Sequence, residues 1–186
     1  MEISKGLLVA LLFVTLLGLG IAHVVVAMAG VVGGDPERRP DALLAAWTVL
    51  LLLVYLELFW HTVDLLNVAE WQFTGFLYVI LGPILLFFAS SVLLPGAEVP
   101  ASVTARDHYL SVSRRFFGLL ALLQLWVIGI DQLLGSGFTA MSMANVVALV
   151  LLAALASTRR IGVHAALTAL LAVLYAAGFF VPGVGA

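Results

Sequence analysis

An all-α, polytopic transmembrane bundle of six helices with both termini outside is the fold this sequence predicts, on three observations. Apolar residues make up 64% of the chain and charged residues 10%, at a mean hydropathy of +1.22. Soluble domains carry about a quarter charged residues, so this chain has too little polar surface to cover a soluble fold. The apolar residues also come in long unbroken runs, which suit membrane helices, whereas the strands of a membrane barrel alternate. Finally, the basic residues cluster in alternate connections.

Six runs approach the roughly 20 residues that cross a hydrocarbon core. They are 6–32, 43–63, 73–94, 116–134, 139–156 and 161–181, in one membrane domain over 1–186. Pro40, Pro95 and Gly135-Ser136-Gly137 punctuate the gaps. Ala27-Met28-Ala29 resembles a signal cleavage site. The apolar run before it exceeds the roughly 7–15 residues of a signal h-region, so a retained helix is expected.

Lys and Arg set the orientation. Arg38 and Arg39 follow span one, Arg106, Arg114 and Arg115 follow span three, and Arg159 and Arg160 follow span five. Only Lys5 lies on the other side. The basic connections therefore belong in the cytoplasm, with both termini outside.

Span one carries the small pair Gly30/Gly34, and span five carries Ala140, Ala144 and Ala148. Small residues let helices approach closely in lipid, so both stretches read as packing seams. They lead to the expectation of a homo-oligomer or a partner membrane protein. His23, a lone imidazole in span one, reads as a neutral side chain bonded to a neighbouring helix.

Span two ends in the most informative stretch, YLELFWHTVDLLNVAEW. At 100° per residue, Glu57, His61 and Asp64 fall within an arc of roughly 60° on one helical face. A carboxylate at membrane depth is costly unless it pairs or meets water. Asp64 and His61 also read simply as residues reaching the outer interface. Trp60 and Trp71 suit an outer aromatic belt and Trp47 an inner one.

Pro83, near the middle of span three, leaves the Val79 carbonyl without its usual N–H and predicts a kink. Thr104-x-x-Asp107 reads as a capping box that starts a helix running through His108, Tyr109 and Arg114-Arg115 into span four. The two arginines would anchor that helix at the lipid surface. Span four then carries Gln124 and Asp131 on one face, with Asp131 at nearly the depth of Glu57. Spans five and six look nearly featureless apart from Asn145, and His164 reads as interfacial. A three-plus-three inverted plan finds thin support, in the likeness of Gly20-Ile21 to Gly129-Ile130.

Trp71-x-Phe73, Pro83, Ala89, Leu94-Pro95, Tyr109 and Arg114-Arg115-Phe116-Phe117-Gly118-Leu119-Leu120 together resemble a family of small, uncharacterised bacterial six-helix inner-membrane proteins. The likeness spans roughly residues 70–125 and departs at Arg115, where that family often has tryptophan. It implies a bacterial inner-membrane fold and no activity.

Glu57, His61, Asp64, Gln124 and Asp131 thus form a candidate proton or ion site, and a small proton- or cation-coupled transporter or channel is the first functional expectation. A non-catalytic membrane subunit or an oligomerising structural protein is the alternative. No enzyme, cofactor, metal centre or nucleic-acid partner is expected. Cysteine is absent, no nucleophile or phosphate-loop motif occurs, and the net charge is only −2.

Overall fold

A computed structural model describes residues 4–32, 41–68, 70–94, 104–133 and 140–180, with the side chains at 30–32, 131–133, 140–142 and 179–180 outside that description. The described residues form six α-helices and no strand. The helices are α1 (Lys5–Val32), α2 (Ala42–Trp60), α3 (Phe73–Leu93), α4 (Ala105–Leu133), α5 (Ala140–Ser157) and α6 (Ile161–Phe180). A 3₁₀ segment, His61–Asn67, continues α2. Five of the helices are long and apolar enough to cross a membrane, and α5 has the shorter apolar stretch Met143–Ser157.

Side-chain contacts fix the direction of each helix. Gly6 at the start of α1 lies against Leu65 and Trp71, and Gly20 lies against Tyr55, so α1 and α2 are antiparallel. Tyr55 hydroxyl meets Ser90 Oγ at 3.1 Å, and His108 Nε2 donates to the Leu93 carbonyl at 3.0 Å. Helix α3 therefore ends where α4 begins. Gln124 pairs with Asn145 on α5, whereas Tyr109 near the start of α4 pairs with His164 near the start of α6. Helix α5 must return along α4 for both contacts to form. The even-numbered helices run one way and the odd-numbered ones the other.

This arrangement separates charge. Arg106, Arg114, Arg115, Arg159 and Arg160 gather at the end where α4 and α6 begin, and Lys5 sits at the opposite end. Arg38 and Arg39 lie outside the described residues. The two connected caps at the arginine end explain why the helices start there. Asp41 Oδ1 accepts from the N–H groups of Leu43 and Leu44, while its Oδ2 meets Arg106 at 3.3 Å. Thr104 and Asp107 close the expected capping box, with Asp107 N–H donating to Thr104 Oγ1 at 3.1 Å and Thr104 O–H to Asp107 Oδ2 at 2.7 Å.

Three described glycines permit the tightest helix approaches, Gly129 against Tyr78 among them. A Cβ on Gly20 would overlap the Tyr55 ring, and one on Gly82 would overlap the Trp126 indole. Pro83 is buried inside α3, which continues through it. Beside it, Trp126 Nε1 donates to the Tyr78 carbonyl at 2.6 Å and Tyr78 hydroxyl donates back to the Trp126 carbonyl at 3.0 Å. This reciprocal pair ties α3 to α4.

Helix α3 is central, with 44% of its apolar window buried, whereas α6 buries only 11% and is peripheral. Ala148 of the expected α5 seam packs on this chain's own core. Ala144 is half-buried, and Gly30, Gly34 and Ala140 fall outside the described side chains.

Trp47 corrects the expectation of an inner belt. It is only 5% exposed, and its indole donates to Thr168 Oγ1 at 3.0 Å. Phe116 and Phe117 pack edge-on against it, at centroid distances of 5.3 and 5.0 Å, so it is core. Trp60, by contrast, is 75% exposed, as a belt residue would be.

Candidate intramembrane polar site

Glu57 stands one turn before the end of α2, and its carboxylate accepts a 2.6 Å hydrogen bond from the Tyr175 hydroxyl of α6. At about 1.5 Å per residue, Glu57 lies roughly 22 Å along α2 and Tyr175 roughly 21 Å along α6, so parallel helices bring them level. Both side chains are half-buried. Among the described residues, the one carboxylate paired with a lysine or arginine is Asp41, with Arg106, so no such cation neutralises Glu57 there.

His61 and Asp64 pair with each other, while the Glu57 carboxylate turns to α6. Helix α2 stops at Trp60, and Thr62 Oγ1 turns back to the Leu58 carbonyl at 3.3 Å. The following residues wind as a 3₁₀ helix, about 120° per residue, which eclipses positions three apart. That geometry sets His61 Nδ1 3.1 Å from Asp64 Oδ2 and turns the pair outward, where both are exposed.

Gln124 also goes elsewhere. Its Nε2 donates to Asn145 Oδ1 at 2.8 Å, a side-chain bond that joins α4 to α5. The Asp131 side chain lies outside the described residues. Among the four site residues with described side chains, His61 and Asp64 are the pair brought into contact with each other.

A second polar assembly, which the sequence reading missed, lies nearer the arginine end. Trp47 donates to Thr168, Tyr109 hydroxyl lies 2.8 Å from His164 Nδ1, and His164 Nε2 lies 3.0 Å from the Thr158 carbonyl. A carbonyl only accepts, so Nε2 carries the proton and Nδ1 accepts from Tyr109: the neutral tautomer satisfies both contacts. His164 is fully buried rather than interfacial.

One signal in the sequence would have found both assemblies. His164, Thr168 and Tyr175 recur at i, i+4 and i+11, within about 40° on a helical wheel. This polar stripe holds a largely apolar helix to α2 and α4. His23, by contrast, gains no polar contact from a neighbouring helix among the described residues. Its ring packs on Phe87 at 5.8 Å, and its buried Nε2 has no partner among the described residues.

No described cluster of three His, Cys, Asp or Glu side chains offers a metal site. The apolar helices are compatible with a multi-pass integral membrane protein, and that is the class the fold defines. Comparison of the chain with protein-family models, curated proteins and solved structures yields no match. The resemblance over residues 70–125 therefore assigns nothing further.

Proposed function

We propose that the chain is a six-span inner-membrane protein whose function centres on Glu57 as a proton- or cation-binding group, in the service of small-ion transport. The observation that carries this reading is the bond from Tyr175 to Glu57. It holds a carboxylate in a helix pair with a neutral donor, without a described basic partner. An ionisable group at membrane depth is expensive, and function is the usual reason for its retention. The hydroxyl donates to one carboxylate oxygen and leaves the second for an incoming proton or cation. The basic residues clustered in alternate connections support an arginine end in the cytoplasm, with Glu57 then toward the outer face.

Proteoliposomes carrying a pH-sensitive dye and an imposed gradient test the proposal. Wild type should give a flux, Glu57→Gln should abolish it with the protein still folded, and Tyr175→Phe, which removes the bond to Glu57, should lower it. Equal flux from wild type and Glu57→Gln across pH values of about 5–8, or none from either, contradicts it.

A second reading, a non-catalytic subunit, is favoured by the way Gln124–Asn145, Trp47–Thr168 and Tyr109–His164 bind helices to one another. These pairs consume the polar groups a passing solute would need. Absence of flux in the same experiment selects this reading.

A further inference from the structure

At the arginine end, a cleft of about 380 Å³ opens between α4 and the α5–α6 turn, lined by Ser113, Arg114, Ala153, Ala156, Ser157, Thr158 and Arg159. The alanines leave the space that larger side chains would fill. The polar lining is asymmetric in its chemistry. Ser113 O–H is spent on the Leu110 carbonyl and Ser157 O–H on the Ala154 carbonyl, at 2.9 and 2.8 Å. Thr158 Oγ1 accepts from the Arg160 N–H at 3.2 Å and keeps its own proton. The groups left to a ligand are therefore donors: two guanidinium groups and one hydroxyl.

No carboxylate lines the cleft, and neither Arg114 nor Arg159 takes part in an ion pair among the described residues. Helix α5 ends and α6 begins beside it, so the opposite ends of two helix dipoles largely offset each other. The arginines decide the sign of the local field. Two planar donors facing one space suit a tetrahedral oxyanion better than a single-point acceptor.

We propose that this cleft binds a phosphate group, and specifically the headgroup phosphate of an anionic lipid lying between α4 and α5. The position favours lipid over soluble phosphate. Arg114 is followed at once by the apolar run from Phe116, so the cleft stands where headgroups meet hydrocarbon.

Native mass spectrometry of the whole protein, titrated with phosphatidylglycerol, phosphatidylcholine and inorganic phosphate, tests the site. Wild type should retain phosphatidylglycerol well above phosphatidylcholine. Arg114→Gln and Arg159→Gln should each weaken retention by a factor of about five, and together by roughly 25-fold. Millimolar phosphate that fails to compete identifies the lipid headgroup as the ligand; phosphate that displaces the lipid overturns the lipid assignment and leaves a soluble oxyanion site. Arg106→Gln, at the same end but bonded to Asp41, should leave retention unchanged. Equal binding by the double variant, equal binding of the two lipids, or an equal loss in Arg106→Gln overturns the site altogether. Both arginines are exposed, and an unchanged melting temperature checks that each variant is folded.

Discussion

Gly82→Leu is expected to destabilise the protein strongly. A Cβ at this position would fall inside the Trp126 indole, which is 4% exposed and has nowhere to retreat. The indole N–H is tied to the Tyr78 carbonyl at 2.6 Å, and Tyr78 hydroxyl donates to the Trp126 backbone carbonyl at 3.0 Å. Overpacking a well-packed core typically costs about 1–3 kcal/mol, occasionally more. Here the Trp126–Tyr78 bond would be lost as well, adding about 1 kcal/mol. The midpoint of unfolding in detergent should fall accordingly, with Gly82→Ala intermediate. Gly118 provides the contrast, since a Cβ there meets nothing within 4 Å. Gly118→Ala should gain up to about 1 kcal/mol from helix propensity. A Gly82→Leu protein as stable as wild type would mean that α3 and α4 do not approach through this glycine.

His164→Ala is the second large effect. The imidazole is fully buried, accepts from Tyr109 and donates to Thr158. It also packs edge-on against Tyr109 at 5.4 Å and beside Phe117 at 5.5 Å. Its removal leaves a void and two unpaired groups, a buried hydroxyl and a carbonyl. An unsatisfied buried group costs about 1–3 kcal/mol, so a total near 3 kcal/mol is expected. Tyr109→Phe removes one donor and should cost about 1–2 kcal/mol. Directly bonded residues show coupling energies of about 0.5–3 kcal/mol, so the double variant should lose less than the sum of the two single losses. Strict additivity would show that the two rings do not interact.

What could be read in advance follows from the range of each signal. The apolar runs announced the helices because a membrane demands about 20 apolar residues in succession, whatever the rest of the chain does. The capping box at Thr104 and Asp107 was legible for the same reason, as a contact three residues apart. Glu57 stood out as a carboxylate near the end of an apolar run, but its partner lies 118 positions later and no local pattern couples them. The His61–Asp64 pairing was not legible, because the residues after Trp60 wind as 3₁₀, which stacks positions three apart, and a regular 100° rotation does not announce that change. Trp47 was misplaced because an aromatic residue near a helix start serves a belt or a core equally well. The stripe of His164, Thr168 and Tyr175 was present in the sequence and overlooked, because three polar residues over three turns look sparse in so apolar a helix.

The alternating helix directions underlie every placement above, and site-directed thiol labelling tests them most directly. The chain has no cysteine to remove. Single cysteines at Ala97, Ser136 and Ser157 would report the connections after α3, α4 and α5 to an impermeant reagent applied to intact cells. Six alternating spans with cytoplasmic arginines predict labelling at Ser136 alone, with Ala97 and Ser157 protected until the membrane is opened. Labelling of Ser136 and Ser157 together from outside would mean that α5 does not cross. Labelling of Ala97 with Ser136 protected would turn the bundle over and place Glu57 toward the cytoplasm.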